Sequence, residues 1–193
     1  VVMRNAAIIG LAGSLMLASS LAQGAADERM FSVGGALYWI DVDATNVITM
    51  DFSGGAIVGT AAFNDNVALR GSIYGAAWDV NDELEATGYD APLLLGSNLN
   101  REGFKYYVAL GVFDERIGLA GDDVDDKERF SGAQLGLGFG YNWPQVALDY
   151  TLNVRSASDY ADFIEDSGMM QVAGARRSEV TATSTALTLS LRF

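Results

Sequence analysis

The chain ends in the alternating stretch Ala186-Leu187-Thr188-Leu189-Ser190-Leu191-Arg192-Phe193. Large apolar side chains occupy its odd positions, and smaller or polar side chains occupy its even positions. A period of two places alternate side chains on opposite faces of an extended strand. The stretch therefore predicts a β-strand with one apolar face, on which Leu189, Leu191 and Phe193 lie.

The same period recurs towards the N-terminus. Residues 145–155 alternate apolar side chains with Asp, Thr, Asn and Arg, and residues 133–142 alternate them with Gln and glycine. The Asn-Trp-Pro sequence at 142–144 between them is a tight-turn signal. Together with the C-terminal stretch, these segments indicate about eight strands in all. The remaining predicted strands lie at 30–41, 47–62, 67–79, 88–97 and 104–113.

Two of the predicted strands carry irregular features. We expect a β-bulge at Gly54-Gly55 in the second strand, because glycine inside a strand often marks one. Pro92 weakens the fourth strand, because proline has no N–H to donate to a ladder.

The connections between the strands alternate in length. Short connections are expected at 63–66, 98–103 and 142–144. The other set is longer and more acidic, at 80–87, 118–129 and 156–179, and includes a brief connection near 42–46. Outer-membrane barrels have short turns on the side of their termini, longer loops on the other side and an even number of strands. The alternation therefore favours eight strands.

Strand length and composition favour a barrel that lies in a membrane. The predicted strands are long enough for a tilted membrane strand, which needs about 9–11 residues. Half of the residues are hydrophobic and 19% are charged, against about 25% charged in soluble domains. In lipid, only a closed sheet leaves no backbone edge unpaired. The sequence thus predicts an all-β, closed, up-and-down antiparallel transmembrane barrel.

In such a barrel the apolar faces point outward and the polar faces point into the lumen. The opposite arrangement would overfill an interior that is just wide enough for side chains. The predicted lumen residues form a polar network: Arg70, Lys105, Gln134, Asp149, Asn153, Arg155 and Arg192. Aromatic residues near the strand ends are expected to form the interfacial girdles of a membrane barrel. The residues predicted for these girdles are Trp39, Trp78, Tyr141, Trp143 and Phe193.

The first 26 residues have the organisation of a secretory signal peptide. Arg4 precedes an apolar stretch at 6–17, and small residues continue to Ala26. This order is typical of a cleavable export signal. We therefore expect a signal peptide at 1–26, a barrel domain at 27–193 and a location in the bacterial outer membrane.

Residues 30–193 resemble the small eight-stranded outer-membrane proteins typified by the OmpA transmembrane domain, OmpX and the opacity-type surface proteins. The resemblance depends mainly on the C-terminal Leu-Ser-Leu-Arg-Phe and on Leu-Gly-Leu-Gly-Phe-Gly-Tyr-Asn-Trp at 135–143. It implies a structural or surface-interaction role with a plugged lumen. It also implies contact with outer-membrane lipid and lipopolysaccharide, and with the barrel-assembly machinery through the C-terminal strand. Two alternatives stay open: a narrow channel for small solutes or ions, and a soluble periplasmic β-barrel that binds a ligand.

Composition argues against several functional classes. The chain has no cysteine and no histidine, which removes thiolate metal sites and the commonest general base. We therefore expect neither an enzyme nor a cofactor. A net charge of −13 argues against nucleic-acid binding, which needs Lys and Arg to meet the phosphates.

Two acidic loops are candidates for interaction. Carboxylates at Asp122, Asp123, Asp125 and Asp126 are the ligand type that calcium prefers, although the complete pattern of a calcium loop is missing. The loop 156–179 contains exposed apolar residues that could hold an extracellular partner, and we expect a short helix near 159–166. Arg176 and Arg177 in this loop could contact lipopolysaccharide phosphates.

Overall fold

The structure is a computed structural model, and it describes residues 28–44, 48–80, 84–121, 127–166 and 180–193. The predicted signal peptide and the predicted calcium ligands at 122–126 lie outside these residues. Arg176 and Arg177 lie outside them as well. Within the described residues, no helix is long and apolar enough to cross a membrane.

Eight antiparallel strands close into one up-and-down barrel in which each strand pairs with its sequence neighbours and β1 pairs with β8. This confirms the predicted fold class. The strands are β1 (Phe31–Ala44), β2 (Ile48–Ala62), β3 (Val67–Trp78), β4 (Leu84–Ser97), β5 (Gly103–Leu119), β6 (Glu128–Asn142), β7 (Val146–Arg155) and β8 (Val180–Arg192). A helix, α1 (Ser158–Asp166), follows β7 where the short helix was expected.

Alternate residues of each strand face the lumen and the exterior. In β3, Arg70, Ser72 and Tyr74 are buried, whereas Leu69 and Ile73 are 47% and 72% exposed. In this strand the large apolar side chains therefore lie outside and the polar side chains lie inside. This is the pattern expected where lipid rather than water surrounds the sheet.

The barrel has two ends that differ in their connections. The end at which β2–β3, β4–β5 and β6–β7 are joined, and at which β1 begins and β8 ends, is here named the turn end. The opposite end, at which the longer connections join the strands, is named the loop end. Tight turns are stabilised locally at the turn end: the Asn64 side chain accepts hydrogen bonds from the backbone N–H groups of Asn66 and Val67 at 2.8 and 2.9 Å.

Several strands are longer than the sequence indicated, mainly at the loop end. β4 begins at Leu84, β5 continues to Leu119 and β6 begins at Glu128. The predicted connections 80–87 and 118–129 are therefore too long. The strands extend because each continues to find backbone partners on its neighbour, as in the pairs Leu84↔Leu119 and Ile117↔Glu128. Such pairing depends on the neighbouring strand, so the pattern of polar and apolar residues along one strand does not predict where the strand ends.

The predicted bulge at Gly54-Gly55 is wrong. The pairing of β2 with β1 runs without interruption from Ala61 to Ile48, and its pairing with β3 runs without interruption from Ala62 to Phe52. The two glycines keep the ordinary alternation of faces, because a closed barrel allows small residues inside and outside without a change of register.

Pro92 lies inside a full-length strand, and its effect is limited to one ladder. The pairing of β3 with β4 is registered up to Leu69↔Leu93 and resumes at Ser72↔Asp90, so it is interrupted opposite Ala91 and Pro92. The ladder between β4 and β5 continues through Pro92↔Gly111. A missing N–H thus breaks the β3–β4 ladder locally and does not end the strand.

Candidate functional site

The barrel lumen contains the polar residues that the sequence singled out. All seven are at most 8% exposed: Arg70, Lys105, Gln134, Asp149, Asn153, Arg155 and Arg192. They come from strands β3, β5, β6, β7 and β8, so only the closed sheet brings them together. Four of them, Arg70, Lys105, Asp149 and Arg155, take part in two ionic clusters, one in each half of the barrel.

The turn-end cluster consists of Arg70, Lys105, Tyr107, Asp149 and Thr151. Asp149 accepts from Lys105 at 2.8 Å and from Arg70 at 3.3 Å. Arg70 also donates to the Tyr107 hydroxyl at 2.8 Å, and the hydroxyls of Tyr107 and Thr151 lie 2.7 Å apart. One buried carboxylate therefore forms ion pairs with two buried cations.

The connection between β4 and β5 contacts lumen residues at the turn end. Asn100 in this connection is 4% exposed, and its carbonyl accepts from Arg192 at 2.7 Å. The Asn142 side chain donates to the carbonyls of Asn98 and Arg101 at 2.8 and 2.9 Å. A cavity of about 10 Å³ remains above this connection, which is about the space that one water molecule needs.

The loop-end cluster consists of Arg155, Glu115, Tyr38, Tyr74 and Tyr160. Arg155 pairs with Glu115 at 2.7 Å, and neither side chain is exposed at all. Tyr74 donates to Glu115 at 2.7 Å, and Tyr160 of α1 donates to its other oxygen. Arg155 also donates to Tyr38 at 2.7 Å. The carboxylate and the guanidinium are thus surrounded by phenol groups.

A second carboxylate extends the loop-end cluster. Asp90 accepts from Tyr38 at 2.8 Å and from Ser72 at 2.6 Å. Tyr38 therefore joins Asp90 to Arg155. In this half of the lumen one cation is linked to two carboxylates, to Glu115 directly and to Asp90 through Tyr38. The turn-end cluster has the reverse ratio.

Aromatic rings enclose the Arg155 guanidinium. Its central carbon lies 4.5 Å from the ring centroid of Phe113 and 5.5 Å from that of Tyr74, distances at which a cation is attracted to a ring face. Tyr38 stacks on Tyr74 at 4.4 Å. The rings exclude water, so the ion pair depends on its protein partners.

Helix α1 fixes the outer side of the loop-end cluster. The Tyr160 ring stacks on Phe130 at 4.5 Å, and Ile164 one turn later is fully buried. Burial and the neighbouring carboxylate of Glu115 raise the pKa of Tyr160, so its phenol stays neutral and donates. Apolar side chains complete the cap around the helix: Ile40, Val42, Phe52, Ile117 and Val180.

Sequence analysis missed the tyrosines and Asp90 as network members. Tyr74 shares the face of Arg70 and Ser72, so the alternation of β3 contained that signal. Asp90 lies on the buried face of β4 with Pro92 and Leu94, but for that strand only the weakening effect of Pro92 was considered. Tyr160 could not be found, because its role depends on how α1 folds back over the barrel.

Gln134 and Asn153 lie in the lumen with part of their polarity unsatisfied. Both polar side-chain atoms of Gln134 are buried without a hydrogen-bond partner, as is Oδ1 of Asn153. Asn153 donates to Ser184 at 3.2 Å. These two residues therefore belong to neither ionic cluster.

The predicted interface aromatics differ in position. Tyr141 and Trp143 are 44% and 45% exposed, with ring centroids 4.9 Å apart at the turn end. Phe193 stacks on Phe31 at 6.4 Å at the same end, and Trp39 lies on the outward face of β1. The outward position predicted for Trp78 is wrong. Its place in the alternation of β3 turns it towards the lumen, where it packs on the apolar cap.

A metal or cofactor site is not evident in the lumen. Among the described ranges of the chain, no group of three or more acidic side chains is arranged to hold a metal ion. The buried carboxylates are already engaged with arginine, lysine and phenol donors.

Comparisons with known proteins agree with this geometry. The family model described as the outer membrane protein beta-barrel domain matches residues 9–193. The fold is similar to the crystal structure of Ail, the attachment invasion locus protein of Yersinia pestis, with a TM-score of 0.54 and 16% identity over 88% of this chain and 100% of that one. It is similar to Neisserial surface protein A, with a TM-score of 0.55 and 13% identity over 84% of this chain and 97% of that one.

A third similar structure is the outer membrane protein OprG from Pseudomonas aeruginosa, with a TM-score of 0.50 and 11% identity over 86% of this chain and 97% of that one. A search of curated proteins finds no match. At these identities the solved structures show a shared fold.

Proposed function

Because this chain belongs to the outer membrane protein beta-barrel domain family, we propose that it is a structural and surface-interaction protein of the outer membrane with a closed lumen. Its location is the bacterial outer membrane. That location and the apolar exterior remove the soluble periplasmic binder from consideration.

The observation that carries the proposal is the filling of the loop-end half of the lumen. The fully buried pair of Arg155 and Glu115 spans the lumen beneath α1, and the apolar cap surrounds the helix. An ion that crossed would have to separate this pair in a site without water, where exposing an unpaired charge is costly.

The proposal also assigns the two ends of the barrel to two sides of the membrane. The turn end faces the periplasm and the loop end faces outward, as in barrels with short periplasmic turns. Residues 1–26 would direct export and be removed. The C-terminal strand that ends at Phe193 would engage the barrel-assembly machinery.

The outward loops would make the external contacts. The loop 156–179, of which α1 is the described part, would present the acidic and apolar side chains that hold an extracellular partner. Lipopolysaccharide would surround the loop end. The proposal includes no catalysis, because the chain lacks histidine and cysteine and its buried carboxylates are occupied by structural partners.

Planar-bilayer recording tests the closed lumen. We expect the purified wild-type barrel to give no steady openings in concentrated potassium chloride. The double variant Glu115→Ala, Arg155→Ala removes the pair that spans the lumen and should give openings that scale with salt concentration. Arg101→Ala, a change of an exposed arginine at the turn end, is the matched control and should remain silent.

Heat modifiability on gels shows which variants are folded, because closed barrels resist detergent until boiled. Steady, concentration-dependent conductance of the wild type would favour the narrow channel instead. A folded double variant that stays silent would show that the Arg155–Glu115 pair is not the barrier.

A further inference from the structure

A groove runs along the outward face of the barrel over strands β2 to β6. Its volume is about 840 Å³. Gly59 and Gly71, which pair directly across β2 and β3, form its floor. Ile57, Ile73 and Tyr89, which are 54%, 72% and 51% exposed, form its apolar walls.

The floor of the groove is open because the glycines have no side chains. A Cβ atom at Gly59 would meet no atom within 4 Å, and one at Gly71 would meet only the Asp90 carbonyl oxygen at 4.0 Å. A trough of this kind in a membrane-facing wall lies against the acyl chains of the bilayer, which have the shape to enter it.

The groove ends in two arginines at the loop end. Arg116 of β5 and Arg129 of β6 lie directly opposite each other on the outward face and both line the groove. Like charges that face each other across two strands repel. Asp114 accepts from Arg129. Within the part of the chain that the structure describes, Arg116 has no ion pair or side-chain hydrogen bond, so one positive charge at this rim is uncompensated.

The order of groups along the groove is that of an anionic lipid. Ile57, Ile73 and Tyr89 are in register with one another across β2, β3 and β4, and the arginine pair lies two residues closer to the loop end, in register with Thr87. A phosphate between two guanidinium groups forms charge-assisted, two-pronged hydrogen bonds and relieves their repulsion. A chain attached to that phosphate would continue into the trough.

We propose that this groove binds one phosphorylated lipid of the outer leaflet, with a phosphate at Arg116 and Arg129 and an acyl chain over Gly59 and Gly71. The chemistry is that of lipid A. The inference rests on the proposed function in one respect: the loop end must face outward.

A second copy of the chain is the main competing occupant. It would use the apolar trough, but the outward carboxylate that lines the groove, Asp114, is already held by Arg129, so a second copy would leave Arg116 without an anion. The uncompensated arginine therefore favours the lipid.

Native mass spectrometry of the detergent-solubilised barrel with added diphosphorylated lipid A tests the proposal. We expect the wild type to retain one lipid molecule. Arg116→Gln, Arg129→Gln should lower retention about tenfold, because both charge-assisted contacts are lost. Gly59→Leu, Gly71→Leu should lower it by a similar factor by filling the trough.

Two matched controls separate the groove from the rest of the surface. Ala133→Leu places a leucine at an exposed outward position of β6 that does not line the groove. Arg101→Gln removes an arginine at the turn end. Both should retain lipid A as the wild type does, and all variants should remain heat-modifiable.

Three results would overturn the proposal. Dephosphorylated lipid A could be retained equally well, the groove variants could retain lipid A unchanged, or the wild type could appear as a dimer that Gly59→Leu, Gly71→Leu abolishes. Competition by free inorganic phosphate alone would show an anion site without a chain. Because the groove variants leave the lumen intact, their bilayer conductance reports on the proposed function separately.

Discussion

Both halves of the lumen bury ionic side chains, but with opposite ratios of cations to carboxylates. At the turn end, Asp149 serves both Arg70 and Lys105. At the loop end, Arg155 alone stands between Glu115 and, through Tyr38, Asp90. The turn-end cluster has one more cation than it has carboxylates, and the loop-end cluster has one more carboxylate than it has cations. In both clusters hydroxyl groups supply the remaining hydrogen bonds. The difference teaches that a buried ionic group is stabilised by the number of its hydrogen-bond partners as well as by charge balance.

The halves also differ in what surrounds the charges. Alanines, Leu94, Leu99 and a short connection surround the turn-end cluster, whose Arg70 and Lys105 side chains stay 9% and 7% exposed. Rings and the apolar cap surround the loop-end pair, whose side chains are not exposed. The loop-end pair is therefore the drier one. Loss of its partners should affect closure, and loss of partners at the turn end should affect mainly stability.

The largest effect should come from Asp149→Asn. This change leaves two buried cations without a carboxylate, and we expect a loss of about 4 kcal/mol in the free energy of unfolding. Urea titration in lipid vesicles, followed by tryptophan fluorescence, measures it. Lys105→Met in the same chain should restore part of the loss, because it removes one of the unbalanced charges. A loss below about 1 kcal/mol would show that the turn-end cluster is not held by its carboxylate.

Glu115→Gln should have a somewhat smaller effect. The amide keeps the volume and can still accept a hydrogen bond, and Asp90 still balances Arg155 through Tyr38. We expect a loss of about 3 kcal/mol in the same urea titration, together with openings in bilayer recordings that Asp149→Asn does not give. Equal conductance of the two variants would contradict the different roles of the two halves.

Tyr160→Phe removes one hydroxyl and keeps the ring stack on Phe130. The loss of one hydrogen bond to Glu115 should lower the free energy of unfolding by about 1 kcal/mol at pH 8. Because the pKa of Tyr160 is raised in the folded chain, its contribution is complete below the ordinary tyrosine pKa of about 10 and declines as pH rises above that value.

Between pH 9 and 11, the wild type should therefore lose about 1 kcal/mol more stability than Tyr160→Phe, since the other tyrosines are common to both chains. The measurement is the same urea titration at each pH. Parallel pH profiles would mean that Tyr160 is not buried against Glu115.

The smallest effect should come from Arg101→Gln. Arg101 pairs with Asp65 at 2.9 Å and with Glu28 at 3.4 Å, but its side chain is 55% exposed. Water and salt screen such pairs, so the expected loss is below about 0.5 kcal/mol in the urea titration. A loss comparable to that of Asp149→Asn would show that the connection at the turn end is held by its surface ion pairs rather than by Asn142 and Arg192.

The sequence by itself determined the strands, their number and the face on which each side chain lies. Period-two alternation is a local property, and the pleat converts it directly into inside and outside. Arg70, Asp149 and Arg155 could thus be assigned to the lumen from the chain alone. The same rule, applied strictly, would have turned Trp78 inward and excluded a bulge at Gly54.

Only the tertiary structure decided which lumen residues meet. Arg155 and Tyr38 are 117 positions apart in the chain, and β1 and β8 become neighbours only when the sheet closes. The stagger between neighbouring strands sets the position of every side chain along the barrel axis, and the sequence of a single strand does not determine that stagger. These positions along the barrel axis decide the division into two ionic clusters. They also decide the contact of Tyr160 with Glu115 and the groove that runs from Gly59 to Arg116.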